Sequence, residues 1–295
     1  MNTAKQLLPH VPWFDVPDPR SPDLDELARR FHLHELQIED CRHPPHRPKV
    51  DEYGAYLFAV LKHLVCKGQG PEFGDFDVFL GPNFLITVHQ GDCAFLGKLC
   101  VRVQQNHVAR LDRIFYEITD LIVDEYLALL DDLAEEISKV ESLVLEMPEP
   151  PVLREIFQLK RRLIDFRRTA AGMRDVINAI IRREGGHTGD DLDPYFRDVY
   201  DHLVHAVDLI ETHRDLLTGS LDIYLSAVAN RTNEVMKVLT IYGTVAVPLV
   251  VITGFFGMNL PLPWGNNPHG VWYASALMFL SMVGVLWYFK KKRWF

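Results

Sequence analysis

The side chains best placed for chemistry in this sequence form a stripe of mostly small and apolar residues between positions 233 and 254. At about 100° per residue, the stripe occupies about 120° of the circumference of a helix. Its members are Asn233, Met236, Leu239, Gly243, Val247, Val250 and Gly254. If several copies of this helix surround an axis, the stripe lines a narrow pore, and Met236 and Leu239 form an apolar constriction that could gate by dewetting. Packing between membrane helices favours the same small residues, so both interpretations stay open.

The stripe lies mostly within a long uncharged part of the chain. From Val238 to Phe289 the sequence contains no Asp, Glu, Lys or Arg. Residues 238–260 and 271–289, as helices, are about 35 Å and about 28 Å long, and a bilayer core is about 30 Å thick. Turn-forming residues at 261–270 separate them. We therefore predict two transmembrane helices joined by a short external loop, in preference to a buried hairpin of a soluble core.

A basic tail follows the second predicted span. The tail comprises residues 290–295, and its cations are Lys290, Lys291, Lys292 and Arg293. Positive charge flanking a span favours the cytoplasmic side, so we expect both termini in the cytoplasm of a protein of the inner cell membrane. Lipid is then an expected partner.

The residues before the spans predict a cytoplasmic α+β domain followed by long helices. Short strand-like runs and helices occupy 1–105, where the segment 23–40 is typical of a single helix with Ser21 or Asp23 as N-cap. Long amphipathic helices occupy 106–196, and a helix over 197–260 continues into the first span. The chain carries a formal net charge of −9, which disfavours nucleic acid as a partner. It has no nucleotide-binding or hydrolase motif, so neither an enzyme nor an organic cofactor is expected.

A specific motif stands at the outer end of the first predicted span. The triplet Gly257-Met258-Asn259 ends the segment YLSAVANRTNEVMKVLTIYGTVAVPLVVITGFFGMN, which begins at Tyr224. This segment, with two terminal spans and a basic tail behind it, resembles the CorA family of divalent-cation (magnesium) transporters. The likeness extends over the whole plan of the chain.

The resemblance implies passive, gated transport of Mg²⁺, with Co²⁺ and Ni²⁺ as further candidates, through a funnel-shaped homopentamer. The first spans would surround the pore, with the stripe and Asn259 facing the ion. Amide oxygens suit Mg²⁺, which sheds its water reluctantly. Cytoplasmic Mg²⁺ would also bind between subunits and hold the pore closed. The matching carboxylate is Asp198, and Asp75 or Asp77 are candidates for its partner.

The external loop departs from the family pattern. Many members carry a carboxylate after the triplet, whereas the loop here, LPLPWGNNPHG, has none and offers only His269, Asn266 and Asn267 as evident polar groups. The choice of ion therefore stays open. A zinc transporter of the ZntB type is one alternative, although that branch usually varies the middle residue of the triplet. A membrane-anchored sensor or scaffold without transport is the other.

Overall fold

The computed structural model describes residues 5–8, 11–67, 70–91, 93–105, 110–182, 187–258, 269–292 and Trp294. These residues divide into two compact units, Met1–Leu221 and Asp222–Phe295. The first unit is built around a β-sheet, and the regular elements among the described residues of the second are helices.

Six strands form one mixed sheet in the first unit. They are β1 (Lys5–Leu8), β2 (Val11–Val16), β3 (Lys49–Tyr53), β4 (Tyr56–Lys67), β5 (Gly70–Gly81) and β6 (Phe84–His89). The order across the sheet is β1-β2-β6-β5-β4-β3. Only the β2–β6 pair is parallel, with Trp13 opposite Leu85. Every residue of β6 is buried, as expected for a central strand that is covered on both faces.

Two short helices cover one face of the sheet, where the sequence predicted a single helix over 23–40. Helix α1 spans Pro22–Phe31 and helix α2 spans Glu35–Arg42. Ser21 is the N-cap of α1, and its hydroxyl accepts the Asp23 amide at 3.2 Å. His32 ends α1 in a left-handed conformation, with φ 55°, and His34 caps α2 through its own ring. The prediction of one helix was wrong because these caps interrupt a continuous apolar pattern, in which Leu27, Leu33 and Ile38 all enter the core.

Three longer helices follow β6, namely α3 (Ala94–Gln105), α4 (Leu111–Glu146) and α5 (Pro150–Ile181). Helix α3 covers the other face of the sheet, where the rings of Phe95 and Phe76 are 5.1 Å apart. Helices α4 and α5 pack against each other and against β4, with Tyr126 and Phe166 in edge contact at 5.3 Å. The α4–α5 pair confirms the prediction of long amphipathic helices in this part of the chain.

These helices also complete the edge of the sheet. Strand β3 stops pairing where Lys49 meets Val60, so beyond Val60 strand β4 is paired with β5 on one side and has no described strand on the other. The carbonyl of Lys62 instead accepts the Tyr126 hydroxyl at 2.7 Å, and its amide donates to the Met173 sulfur at 3.4 Å. Side chains of α4 and α5 thereby satisfy backbone groups that would otherwise be buried without partners.

A single helix, α6, runs from Asp193 to Phe256, and α7 runs from Gly270 to Lys291. The division between the two compact units falls within α6, after Leu221. Both helices contain segments long and apolar enough to cross a membrane, and none of the most apolar window of either is buried. The α+β part, the long helices and the two candidate spans are thus as predicted. The finer domain limits at 105, 196 and 260 stay predictions.

The Tyr126 hydroxyl offers a direct test of this edge. We expect Tyr126→Phe to lower the free energy of unfolding of the full-length chain in detergent by about 1–3 kcal/mol, because the Lys62 carbonyl stays buried without a donor. Chemical denaturation followed by circular dichroism measures this. Tyr195→Phe is the control, since Tyr195 is 44% exposed. Equal stability of the two variants would contradict the proposed role of the hydroxyl.

Candidate ion pathway and regulatory carboxylates

All seven residues of the stripe lie on α6 and are exposed in the single chain. Met236 is 55% exposed and Leu239 is 65% exposed. Both side chains are apolar, so their exposure to water is unfavourable. Neighbouring residues outside the stripe, such as Val238 and Tyr242, are equally exposed. The exposure therefore extends well beyond the stripe, while Ile241, Val245, Pro248 and Ile252 on another face are half-buried. Exposure does not by itself select the stripe as the pore face.

The threonine hydroxyls on this half of α6 are satisfied within the helix. Thr240 donates to the carbonyl of Met236 at 2.7 Å, and Thr244 donates to that of Thr240 at 2.7 Å. Thr253 donates to the carbonyl of Leu249 at 2.9 Å. These bonds leave no hydroxyl proton unpaired, so the threonines can be accommodated in an apolar environment.

The helix ends at Phe256, directly before the Gly-Met-Asn triplet. The amide of Gly257 donates to the Thr253 carbonyl at 2.9 Å, and the amide of Met258 donates to the Phe255 carbonyl at 3.3 Å. A Cβ atom on residue 257 would lie 3.0 Å from the Thr253 oxygen, so any side chain there would crowd the helix terminus. Glycine permits this tight ending. Asn259, predicted to face the ion, lies outside the described residues, as does most of the loop.

Asp75 is already occupied by other groups of the sheet domain. Its carboxylate forms an ion pair with Lys62, and both side chains are 7% exposed. The backbone amide of His46 donates to the same carboxylate at 2.7 Å. A buried carboxylate with a buried cation and a backbone donor is neutralised, so it exerts little attraction on a further ion.

Asp77 lies on the same strand, on the sheet face covered by α2. It is 3% exposed, and its Oδ1 atom has no hydrogen-bond partner among the described residues. Burial raises the pKa of Asp77 to about 7, and the neighbouring Asp75 adds to the effect while hydrogen bonding from Cys41 opposes it. Asp77 is therefore an acid that is largely protonated below neutral pH.

Asp198 differs from both because it is exposed, in the first turns of α6. It lies near Asp124 of α4, whose pKa is raised by burial and further by the negative charges of Asp120 and Asp198. The sequence reasoning missed Asp124, and only the packing of α4 against α6 brings it close. Among the described residues, no three His, Cys, Asp or Glu side chains are grouped to hold a metal ion within one chain.

The basic tail follows directly on α7. Lys290, Lys291 and Lys292 are exposed at the end of the helix, while Arg293 lies outside the described residues.

Known proteins are similar to this chain in both sequence and fold. A family model described as CorA-like Mg²⁺ transporter protein matches residues 10–291. The cobalt/magnesium transport protein CorA of Thermotoga maritima is 35% identical over 289 residues, which cover 93% of this chain and 80% of that protein. The solved CorA magnesium transporter from Methanocaldococcus jannaschii has a TM-score of 0.87 at 24% identity, covering 96% of this chain and 91% of that one. The ZntB cytoplasmic domain from Vibrio parahaemolyticus shares the fold, with a TM-score of 0.64 at 12% identity over 74% of this chain and 88% of that one.

These findings define a metal-ion transporter with two candidate membrane helices, in keeping with the expectation that the chain is not an enzyme. The chain belongs to the CorA-like Mg²⁺ transporter family. The family confirms the interpretation drawn from the Gly-Met-Asn triplet and its upstream run. The roles of individual residues stay predictions.

Asp77 predicts a pH dependence of stability. The pKa of Asp77 is higher in the folded protein than in the unfolded chain. Its contribution to the free energy of unfolding is therefore complete at low pH and is lost as the pH rises towards 7. We expect Asp77→Asn to remove the loss and to be more stable than the parent at pH 8, by up to about 4 kcal/mol. Denaturation of the full-length chain at pH 5 and pH 8 measures the difference. The control is Asp165→Asn, at an exposed position of α5; parallel pH profiles for the parent and Asp77→Asn would refute the assignment.

Proposed function

We propose that the protein carries divalent cations, with Mg²⁺ preferred, passively through a gated homopentameric pore in the inner cell membrane, with both termini in the cytoplasm. The observation that carries this proposal is the intact Gly257-Met258-Asn259 triplet at the end of an uncovered apolar helix, in a chain of the CorA-like family. A pore also accounts for the exposed half of α6, because neighbouring copies and lipid would cover it.

The stripe would face the axis of the pore. Gly243 and Gly254 would keep the passage wide, while Met236 and Leu239 would narrow it with apolar side chains. An apolar constriction stops ions when it loses its water, and small outward movements of the helices rewet it. The intrahelical bonds of the threonines support this arrangement because they leave the helix intact without help from neighbours.

Selection of the ion would occur at Asn259. Copies of this residue would present amide oxygens to an ion that keeps its hydration shell, as suits Mg²⁺. The loop lacks carboxylates, so attraction of cations to the entrance would depend on these amides and on the polar groups of the loop, Asn266, Asn267 and His269.

Cytoplasmic Mg²⁺ would regulate the pore through Asp198. Its exposure and the nearby carboxylate of Asp124 support this residue as an ion ligand. Asp75 and Asp77 are weaker candidates for the partner, because one is paired with Lys62 and the other retains its proton near neutral pH. An ion held between subunits stabilises the closed state only if it binds that state more tightly than the open one.

Zinc transport is the second candidate, and the loop without carboxylates is the observation that favours it. Fluxes of Mg²⁺, Co²⁺, Ni²⁺ and Zn²⁺ into proteoliposomes, with and without hexaammine cobalt as a mimic of hydrated Mg²⁺, distinguish the two. Block by hexaammine cobalt supports passage of the hydrated ion. Zinc flux that needs a proton gradient would instead support a ZntB-type function, and no flux of any ion would support a sensor or scaffold.

Asn259→Ala should abolish Mg²⁺ uptake, because the ring of amide oxygens is lost. Flux of Mg²⁺ into proteoliposomes containing the full-length chain measures this. Asn178→Ala on α5 is the control for the substitution itself and should transport as the parent does. Unchanged flux in Asn259→Ala would show that this residue does not select the ion.

Asp198→Asn should weaken closure by cytoplasmic Mg²⁺. We expect the internal Mg²⁺ concentration that halves the flux to rise about tenfold. A change of this size lies within the usual range of allosteric coupling free energies. The measurement is flux from proteoliposomes loaded with graded Mg²⁺. Asp201→Asn is the matched control, since it removes an exposed carboxylate one turn further along α6. Equal shifts in the two variants would assign the effect to general charge.

A further inference from the structure

The last turn of α7 places aromatic and cationic side chains side by side. Trp287 and Tyr288 are 62% and 55% exposed, and three consecutive exposed lysines follow Phe289. The ammonium group of Lys291 lies over the Trp287 ring, 5.2 Å from its centroid. Exposed Trp and Tyr beside lysines are typical of the boundary between the hydrocarbon core and the lipid headgroups.

The chain folds back after these lysines and closes the helix end. The amide of Lys292 donates to the Tyr288 carbonyl at 3.1 Å, and the amide of Trp294 donates to the Phe289 carbonyl at 3.1 Å. The Trp294 ring packs on that of Phe289 with 5.0 Å between centroids, and Phe289 is 4% exposed. The lysines are therefore presented from an ordered, capped turn.

The three lysines have no partners of opposite charge. No Asp or Glu follows Glu234 in the sequence, and in the part of the chain that the structure describes none of Lys290, Lys291 and Lys292 forms an ion pair. Lys49 and Lys62 of the sheet domain, in contrast, both pair with carboxylates. Three adjacent exposed cations at the end of an apolar helix are therefore available to bind an anion from outside the chain.

We propose that Lys290, Lys291 and Lys292, held by the Trp294–Phe289 contact, form a binding site for the phosphate headgroup of anionic lipids. The position of the lysines at the end of the span favours this source, because headgroup phosphates occur at that depth. Basic residues next to a span are attracted to anionic leaflets. The site is independent of the ion that the pore carries, so it stands even if the proposed transport fails.

The test compares the affinity of the full-length chain for phosphatidylglycerol and phosphatidylcholine in detergent micelles, with bound lipid counted by native mass spectrometry. The parent should prefer phosphatidylglycerol. Replacement of all three lysines by Gln should weaken phosphatidylglycerol binding about a hundredfold, since each lysine contributes about fivefold. Replacement by Arg should preserve it, and added salt should weaken it in the parent.

A charge-matched control carries Lys98→Gln, Lys139→Gln and Arg154→Gln, all at exposed positions of the first unit, and should bind the lipid as the parent does. A detergent micelle has no inner and outer leaflet, so a change in the membrane topology of the variant cannot cause the result. Equal affinity of the Gln variant and the parent would overturn the proposal. So would displacement of the lipid by millimolar inorganic phosphate, which indicates a site for free anions, or a loss of subunits in the Gln variant, which indicates that carboxylates of a second copy neutralise the lysines.

Discussion

The uncharged run from Val238 to Phe289 is the constraint on which the rest of the molecule depends. In a bilayer each backbone amide and carbonyl must find its partner within the segment, so the two apolar segments of this run form helices. The structure satisfies even the threonine hydroxyls of this part of α6 in this way, through bonds to carbonyls one turn earlier. Helices closed on themselves in this manner leave their surfaces available for lipid, for other copies and for a path of ions.

The first unit follows a different rule, because its polar groups are buried in a sheet domain and must be paired there. Lys62 shows this most fully: its ammonium pairs with Asp75, while its backbone groups use Tyr126 and Met173 in place of a missing strand. Asp77 is one of the exceptions among the described residues, with one oxygen unpartnered and a proton retained near neutral pH. Carboxylates on neighbouring positions of one strand thus differ in charge, and an exposed one such as Asp198 is better suited to binding an ion.

Much of the fold could be predicted because its signals are local. Strand β2, the turn between β5 and β6, the N-cap of α1, the α4–α5 break at Met147 and the two apolar helices all follow from periodicity, caps and breakers. The single helix predicted over 23–40 failed where a cap by His34 interrupted a continuous apolar pattern. Strand β1 and helix α3 were not predicted individually, since their stability comes from pairing with β2 and from packing on the sheet.

By itself, the sequence determined the two apolar helices, the Gly-Met-Asn triplet and through them the family, because hydrophobicity and motif spacing are properties of consecutive residues. Only the tertiary structure decided which acidic residues are free. That Asp75 is neutralised by Lys62, that Asp77 is buried against α2 and that Asp124 lies beside Asp198 all depend on contacts between residues distant in the chain. The charge of a carboxylate depends on its burial and its neighbours, and no local pattern contains that information.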